Sequence, residues 1–461
     1  MSEDLPEYDL VVIGAGLVGA AIARIFAGYD LRIALVEARN DVGDGTSKAN
    51  TAILHTGFDA TPGTLESSLV RRGYELLSDY ARQTGIPIER TGAVLVAWDD
   101  EQMAALPGLQ AKAVANGYRQ TELIASEATY RMLPNLGAGA LGGLTVPDES
   151  VTCTWSTNLA LATDAVRRGV TLKLNTSVEA VDIGPTATTL LTTRGPLRTR
   201  WLVNAAGLGS DLIDRMFGFD RFTVTPRKGE LLVFDKLARP MAPHIILPVP
   251  SKVGKGVLVS PTIYGNLMVG PTAQDIEDRT DTSTTAEGFA FLMDKLSRLM
   301  PALAGEEITA TYAGLRAATE HADYLLDVDP GRRYVLAGGI RSTGLTACMA
   351  IAEYLCLRVQ ESGVLKMVER RDCPDAPRMP NLGEAFTRPY QDGARIADDP
   401  EYGRIICFCE RVSAGEIRDA LHATVPATTL GGLRRRTRAM NGRCQGFFCG
   451  TEVRERLWAT T

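Results

Sequence analysis

An α/β protein of more than one domain is predicted by three observations. Near the N-terminus a short apolar run meets a glycine-rich turn, a helical stretch and a second apolar run that ends on an acid. In the middle of the chain, brief apolar segments such as Leu231–Phe234 and Gly256–Ser260 look like strands of an antiparallel sheet. Close to the C-terminus four cysteines gather in two pairs. The length of 461 residues agrees, since domains usually run about 100–200 residues and two or three are expected.

The first element is the most informative. Tyr8 to Ile13 reads Y-D-L-V-V-I and suits a buried parallel strand. Gly14-Ala15-Gly16-Leu17-Val18-Gly19 follows as a G-x-G-x-x-G, then a helical stretch, then Leu31 to Val36 ending at Glu37. Gly14 permits the tight turn, Gly16 lets a pyrophosphate approach the backbone, and Gly19 lets helix and strand pack closely. The free N–H groups and positive dipole end of the helix favour phosphate. Glu37 suits the hydroxyls of a ribose. This unit points to a bound dinucleotide without deciding between NAD and FAD.

The cysteines come next. Cys407 and Cys409 form a C-x-C, and Cys444 and Cys449 a second pair. Four thiolates are the usual ligand set of a 2Fe–2S cluster, and two pairs can serve one iron each. Zinc is the competitor, although its sites more often show C-x(2–4)-C pairs. Ser413–His422 and Thr428–Asn441 read as two helices that bring the pairs together. Within the second, L-R-R-R-T-R (Leu433 to Arg438) reads as a solvated face offsetting an anionic cluster, or as a docking surface for an acidic electron carrier.

The bulk numbers exclude some classes. A net charge of −6 argues against a nucleic-acid partner, which needs a positive surface field. The acidic N-terminal start is unlike a secretory signal. No apolar run reaches the roughly 18–20 residues of a membrane span; the longest, Gly344 to Val359, contains Glu353 and Arg358 and reads as a packed helix. A cytoplasmic location is expected, with peripheral attachment at the inner face of the membrane, through a partner, left open.

After Glu37 the chain is rich in small and polar residues, and Ser47, Asn50, His55, Gly57, Pro62, Gly63 and Leu65 form an S/T-x-x-N-x-x-x-x-H-x-G and P-G-x-L pattern. This resembles the D-amino-acid-oxidase-like flavoproteins, in the branch of L-2-hydroxyglutarate oxidase and the FAD-dependent glycerol-3-phosphate dehydrogenases. Val203–Leu208 (V-N-A-A-G-L), Arg227–Glu230 (R-K-G-E) and Gly338–Thr346 (G-G-I-R-S-T-G-L-T) fit the same family. The resemblance implies FAD, with Ala206, Gly207, Gly339, Arg341, Gly344, Leu345 and Thr346 joining the glycines, Glu37, Ser47 and Asn50 around it. It also implies a discontinuous Rossmann-like FAD domain (1–90, 145–215 and 326–365), an antiparallel-sheet substrate domain (91–144 and 216–325), a proline-punctuated linker (366–403) and a small helical 2Fe–2S domain (404–461). The cysteine wording G-R-C-Q-G-x-F-C resembles the bacterioferritin-associated-ferredoxin-like domain fused to anaerobic glycerol-3-phosphate dehydrogenases.

Three residues are catalytic candidates. His55 could take the hydroxyl proton while hydride leaves for the flavin; shaping the pocket or attaching the flavin covalently are the alternatives. Arg316, in A-G-L-R-A, could bind a substrate carboxylate or phosphate bidentately. Lys228 is a weaker substrate-binding candidate, and His321 rests on nearness to Arg316 in the sequence. Tyr264 and His244 are weaker still as pocket residues. The expected activity is a dehydrogenase that oxidises a small anionic hydroxy compound, glycerol 3-phosphate or a 2-hydroxy acid such as L-2-hydroxyglutarate. Electrons would leave through the cluster to an acceptor protein or a quinone-linked partner subunit. An amine, opine or amino-acid dehydrogenase, or an electron-transfer subunit without its own substrate, are the other readings.

Overall fold

The computed structural model describes residues 7–250, 256–384 and 386–460; the acidic opening residues, from which no secretory signal is expected, lie largely outside them. The first of two large sheets has five parallel strands at its centre, in the order Thr171–Lys173, Ile33–Val36, Glu7–Ile13, Leu197–Asn204 and Tyr334–Gly338. A hairpin of Val178–Ile183 and Thr188–Thr192 joins Leu197–Asn204, and Leu325–Asp329 pairs with Tyr334–Gly338, each antiparallel. The central strand buries both faces: Leu10 and Val12 enter one apolar cluster, Val11 and Ile13 another. Helices Leu17–Phe26, Thr154–Arg167 and Gly344–Glu361 cover the first of these faces. Close approach is built in. A Cβ at Gly19 would lie 1.8 Å from the Gly14 carbonyl oxygen, and one at Gly73 would lie 2.2 Å from the Thr346 carbonyl oxygen.

The second sheet has nine strands, and Thr225–Phe234 and Ile308–Ala318 form its longest antiparallel ladder. Its pairings are antiparallel except one: Ile245–Pro248 lies parallel to Ala93–Ala97. A parallel join needs a long crossover, and the chain supplies one because between these two strands it passes through four strands of the first sheet, from Thr171–Lys173 to Leu197–Asn204. Helix Ala286–Leu299 packs Leu292 and Leu296 into the apolar cluster on one face. The other face roofs a cavity, with Gly229, Leu231, Gly314 and Arg316 exposed to it.

Past helix Gly344–Glu361 the chain runs along the unit of the first sheet, bonded through Arg370 N–H to the Gly28 carbonyl (2.8 Å) and Met379 N–H to the Thr84 carbonyl (2.7 Å). The C-terminal unit opens with a short hairpin, Ile405–Cys407 with Val412–Ser413. Two helices follow, Ala414–Leu421 and Leu430–Thr437, inside the ranges that the sequence predicts. The first starts at a capping box in which Ser413 and Glu416 satisfy each other's backbone N–H. A further helix, Gly450–Trp458, closes the unit. No helix of the described residues is long and apolar enough to cross a membrane.

Candidate functional site

Between the two sheets lies a cavity of about 1230 Å³, larger than the roughly 300–1,000 Å³ of a site for one drug-sized ligand. One end is built by the G-x-G-x-x-G turn. Gly14 has φ +98°, and a Cβ there would come 2.4 Å from the Ala205 carbonyl oxygen, so only glycine makes this turn without strain. The helix that follows has no cap from its own Gly16; Ser47 Oγ reaches across to accept from Leu17 N–H (3.0 Å). Glu37 accepts from Ala15 N–H (2.8 Å) and Arg39 N–H (2.9 Å). Burial nevertheless leaves its carboxyl above the ordinary range. Asn50 braces the adjoining loop by donating to the Ser47 carbonyl (2.9 Å) and Thr154 Oγ1 (3.2 Å).

Gly14, Gly16, Glu37, Ser47, Asn50, Ala206, Gly207, Gly339, Arg341, Gly344 and Leu345 all line the cavity. Gly19 and Thr346 stand behind the wall. Gly19 allows helix and strand to touch, and Thr346 Oγ1 accepts from His55 N–H (3.0 Å). Helix Gly344–Glu361 also begins at the cavity without a side-chain cap. Two helix N-termini therefore present donors and partial positive charge to one space, a fit for a dinucleotide with an electron-rich ring.

His55 lines the cavity, and its Nδ1 lies 3.0 Å from Oε2 of Glu149. Glu149 is fully buried and also accepts from Thr56 N–H (2.7 Å) and Oγ1 (2.9 Å). A carboxylate at Nδ1 fixes the tautomer that carries its lone pair on Nε2, the arrangement a proton acceptor needs.

Arg316 reaches the cavity from strand Ile308–Ala318, donating to the Thr272 carbonyl (3.1 Å). It forms no ion pair among the described residues, and burial holds its guanidinium below the usual arginine range. Directly across the ladder stands Arg227, which also lines the cavity. Arg227 binds Asp275 through two bonds (2.6 and 2.9 Å). Like charges opposite one another destabilise a sheet; Asp275 offsets the charge of Arg227, and Arg316 is the member of the pair without a bonded carboxylate among the described residues. A third cation of the wall, Arg279, is committed to Asp211 (2.5 and 2.8 Å).

Lys228 and His321 are not brought into this site. Strand alternation turns Lys228 to the face opposite Arg227, where its ammonium pairs with Asp281 (2.8 Å). His321 sits on an exposed loop, its Nε2 3.0 Å from the Arg221 carbonyl oxygen. Tyr264 is buried outside the cavity, and His244 Nδ1 faces the Thr91 carbonyl (2.5 Å). Sequence reasoning missed Glu149, Arg227 and Arg279. Only Arg227 carried a signal, its odd–even relation to the lysine beside it.

At the C-terminal end the four cysteines fall into two sulfur pairs, Cys409 with Cys444 and Cys407 with Cys449. Four thiolates in two pairs are the usual ligand set of a two-iron cluster. The N–H groups of Phe448, Gly446 and Phe447 aim at the Cys444 sulfur and push its thiol down, the donor pattern an anionic sulfur requires. Gly442 permits the approach, since a Cβ there would meet the Cys409 Cβ at 2.3 Å.

The arginine run is a correction. The sequence reads it as a solvated face or docking surface, but most of it turns inward. Arg436 binds both oxygens of Asp41 (2.8 Å each), and Arg435 binds Asp41 (2.7 Å) and Asp44 (2.8 Å). Arg438 binds Glu410 (2.7 Å). Burial alone would raise Asp41, but Arg436 and then Arg435 outweigh it and hold its carboxyl below the usual range. Arg435 and Arg436 fasten the C-terminal unit to the loop after Glu37, whereas Arg438 pairs within that unit.

Comparison with known proteins agrees with this geometry. The family model of FAD dependent oxidoreductases matches residues 9–358, and that of the BFD-like [2Fe-2S] binding domain matches 405–457. A glycerol 3-phosphate dehydrogenase of Caloramator mitchellensis is 35% identical over 454 residues, 98% of this chain and 94% of that protein. The L-2-hydroxyglutarate dehydrogenase of Escherichia coli (strain K12) is 28% identical over 58% of this chain and 64% of its own length. The structure of dithionite-reduced L-alpha-glycerophosphate oxidase from Mycoplasma pneumoniae with FAD bound superposes with a TM-score of 0.77 at 25% identity, covering 82% of this chain and 100% of that one. The chain belongs to the FAD-dependent oxidoreductase family, with a BFD-like 2Fe–2S domain at its C-terminal end.

Proposed function

We propose that this protein is a dehydrogenase that oxidises glycerol 3-phosphate and passes the electrons through its own cluster to an external acceptor. The observation that carries the substrate reading is the pair Arg227 and Arg316, opposed across one ladder at the cavity, the second without a carboxylate partner among the described residues. Glycerol 3-phosphate gathers its charge and three acceptor oxygens on one phosphate, which suits a single guanidinium site, whereas L-2-hydroxyglutarate spreads the same formal charge over two separate carboxylates. The similarity to the Caloramator mitchellensis protein along nearly the whole chain supports the same choice.

The residues divide the work. Arg316, with Arg227 beside it, binds the phosphate and sets the distance of the alcohol carbon from the flavin loop. His55 Nε2 accepts the hydroxyl proton, while Glu149 holds the ring and stabilises the imidazolium that forms. FAD bound at the G-x-G-x-x-G end of the cavity would supply the hydride acceptor, and a 2Fe–2S cluster held by Cys407, Cys409, Cys444 and Cys449 would supply a one-electron relay. Phe408, Phe447 and Phe448 are exposed beside the cysteines and leave an apolar rim where a one-electron acceptor can approach. A fused cluster favours dehydrogenase over oxidase, because oxygen can take electrons from flavin directly. The test is anaerobic titration of the holoprotein. Glycerol 3-phosphate should bleach the flavin and then raise the rhombic EPR signal of a reduced 2Fe–2S cluster. Bleaching by L-2-hydroxyglutarate or an amino acid instead would reject the phosphate reading.

A further inference from the structure

We infer that Arg438, together with Tyr264 and Gln445, is the positioning contact that seats the cluster against the cavity wall and so sets the rate of electron passage from flavin to cluster. The inference rests on the internal electron route proposed above and names the residues that hold it.

Strand Ile308–Ala318 connects the two sites. Gly314 and Arg316 line the cavity, and a Cβ at Gly314 would lie 2.3 Å from the Ala49 carbonyl oxygen. Tyr312 donates to the carbonyl of Asn50 (2.9 Å), another residue of the wall. At the start of the strand the Thr309 carbonyl accepts from Gln445 Nε2 (3.1 Å), and Gln445 directly follows the cluster ligand Cys444. Thr309 and Tyr312 are three residues apart, about 10 Å of strand. On the other side of Cys444, Arg443 is tied to Asp235 (3.2 Å) and Glu307 (2.9 Å).

A second line of contacts runs beside the first. Lys48, next to Ala49, accepts at its carbonyl from the indole N–H of Trp155 (3.0 Å). Trp155 stacks on Tyr264 with centroids 5.1 Å apart, and the Arg438 guanidinium lies 4.1 Å from the centre of the Tyr264 ring. Arg438 Nε donates to Glu410, the residue after Cys409. Arg438 is buried and ends helix Leu430–Thr437 at φ +69°, a conformation that glycine or asparagine takes at less cost. A helix end alone does not call for arginine there; the pairing with Glu410 and Tyr264 does.

The step itself makes and breaks no bond between protein residues. One electron leaves the reduced flavin and arrives on the oxidised cluster, with flavin protons released to water. The second follows once an outside one-electron acceptor has emptied the cluster. Electron tunnelling weakens steeply with distance and with loose, wet packing, so a seat that shifts slows this step and leaves flavin reduction untouched.

The experiment uses full-length holoprotein with matched FAD and iron contents. Arg438→Gln and Gln445→Ala are mixed anaerobically with glycerol 3-phosphate, reading flavin bleaching by absorbance and cluster reduction by freeze-quench EPR. Flavin bleaching should keep its wild-type rate, and cluster reduction should slow by about tenfold or more, the scale on which small losses of positioning register. Arg438→Lys, which keeps the cation for Glu410, should recover much of that loss. Amide hydrogen exchange at Thr309–Tyr312 should rise in both slowed variants, without any turnover. Cluster reduction at the wild-type rate in both variants overturns the inference. Should Arg438→Gln fail to fold, the exposed Gln445→Ala decides alone. If glycerol 3-phosphate does not bleach the wild-type flavin, the substrate reading has failed, and photoreduction of the flavin still tests the seat.

Discussion

Asp41→Asn isolates what holds the C-terminal unit in place. Asp41 and Arg436 have side chains only 3% and 4% exposed, so solvent hardly screens their two 2.8 Å bonds. Removing one partner of such a pair leaves a buried charge uncompensated, at a cost of about 3–5 kcal/mol. Asparagine keeps one acceptor oxygen and Arg435 keeps Asp44, which places the loss near the lower end, about 3 kcal/mol or roughly 100-fold in the docked-to-undocked ratio. Limited proteolysis within 366–403, at fixed protease and pH 7, reads that ratio directly. The pH dependence supplies a second check. Asp41 is held below its ordinary range in the folded protein, so its contribution is complete above the unfolded value of about 3.9 and is lost as pH falls through the folded one. Asp41→Asn should lack that acid-side loss of protection. Cleavage of the variant within twofold of wild type at pH 7 would refute the reasoning.

Arg316→Met should raise KM for glycerol 3-phosphate about 10- to 100-fold, the cost of roughly 1.5–3 kcal/mol for hydrogen bonds to a charged group, and steady-state kinetics with a constant flavin content checks it. His55→Ala should lower kcat by about 10²- to 10⁴-fold with FAD still bound; a loss of flavin at unchanged turnover per flavin would make His55 a pocket-shaping residue instead. Gly19→Ala places its methyl carbon 1.8 Å from the Gly14 carbonyl oxygen. It should purify largely without FAD, by absorbance, while keeping its iron.

The parts legible in the sequence were those where one local stretch performs one physical task. A strand, three spaced glycines, a helix and an acid are the pattern of a phosphate-binding turn, and Gly14, Gly16 and Glu37 line the cavity. Two close cysteine pairs specify a cluster in the same way. Legibility failed where partners meet from far apart. Glu149 fixes His55 from 94 residues away, and nothing in P-D-E-S announces a buried carboxylate. Lys228 is named from the sequence as a substrate-binding candidate and Arg227 is left out, yet the ladder register sets Arg227 opposite Arg316 and Lys228 opposite Leu315. One step of a strand separates a residue that lines the cavity from one that does not.

The arginine run carries the same argument further. Read as composition, R-R-R-T-R is a solvated cationic face offsetting an anionic cluster, with an acidic electron carrier as the second possibility. In the fold Arg435 and Arg436 spend their charge on the loop that follows Glu37, and Arg438 spends its charge on the residue after Cys409. Buried cations so placed add little net stability over an apolar contact, but they fix orientation, because a bidentate fork accepts one geometry. Orientation is what a one-electron relay needs from its scaffold. If an external acceptor docks as proposed at the exposed Phe408, Phe447 and Phe448, added salt should weaken its binding less than a cationic docking face would require.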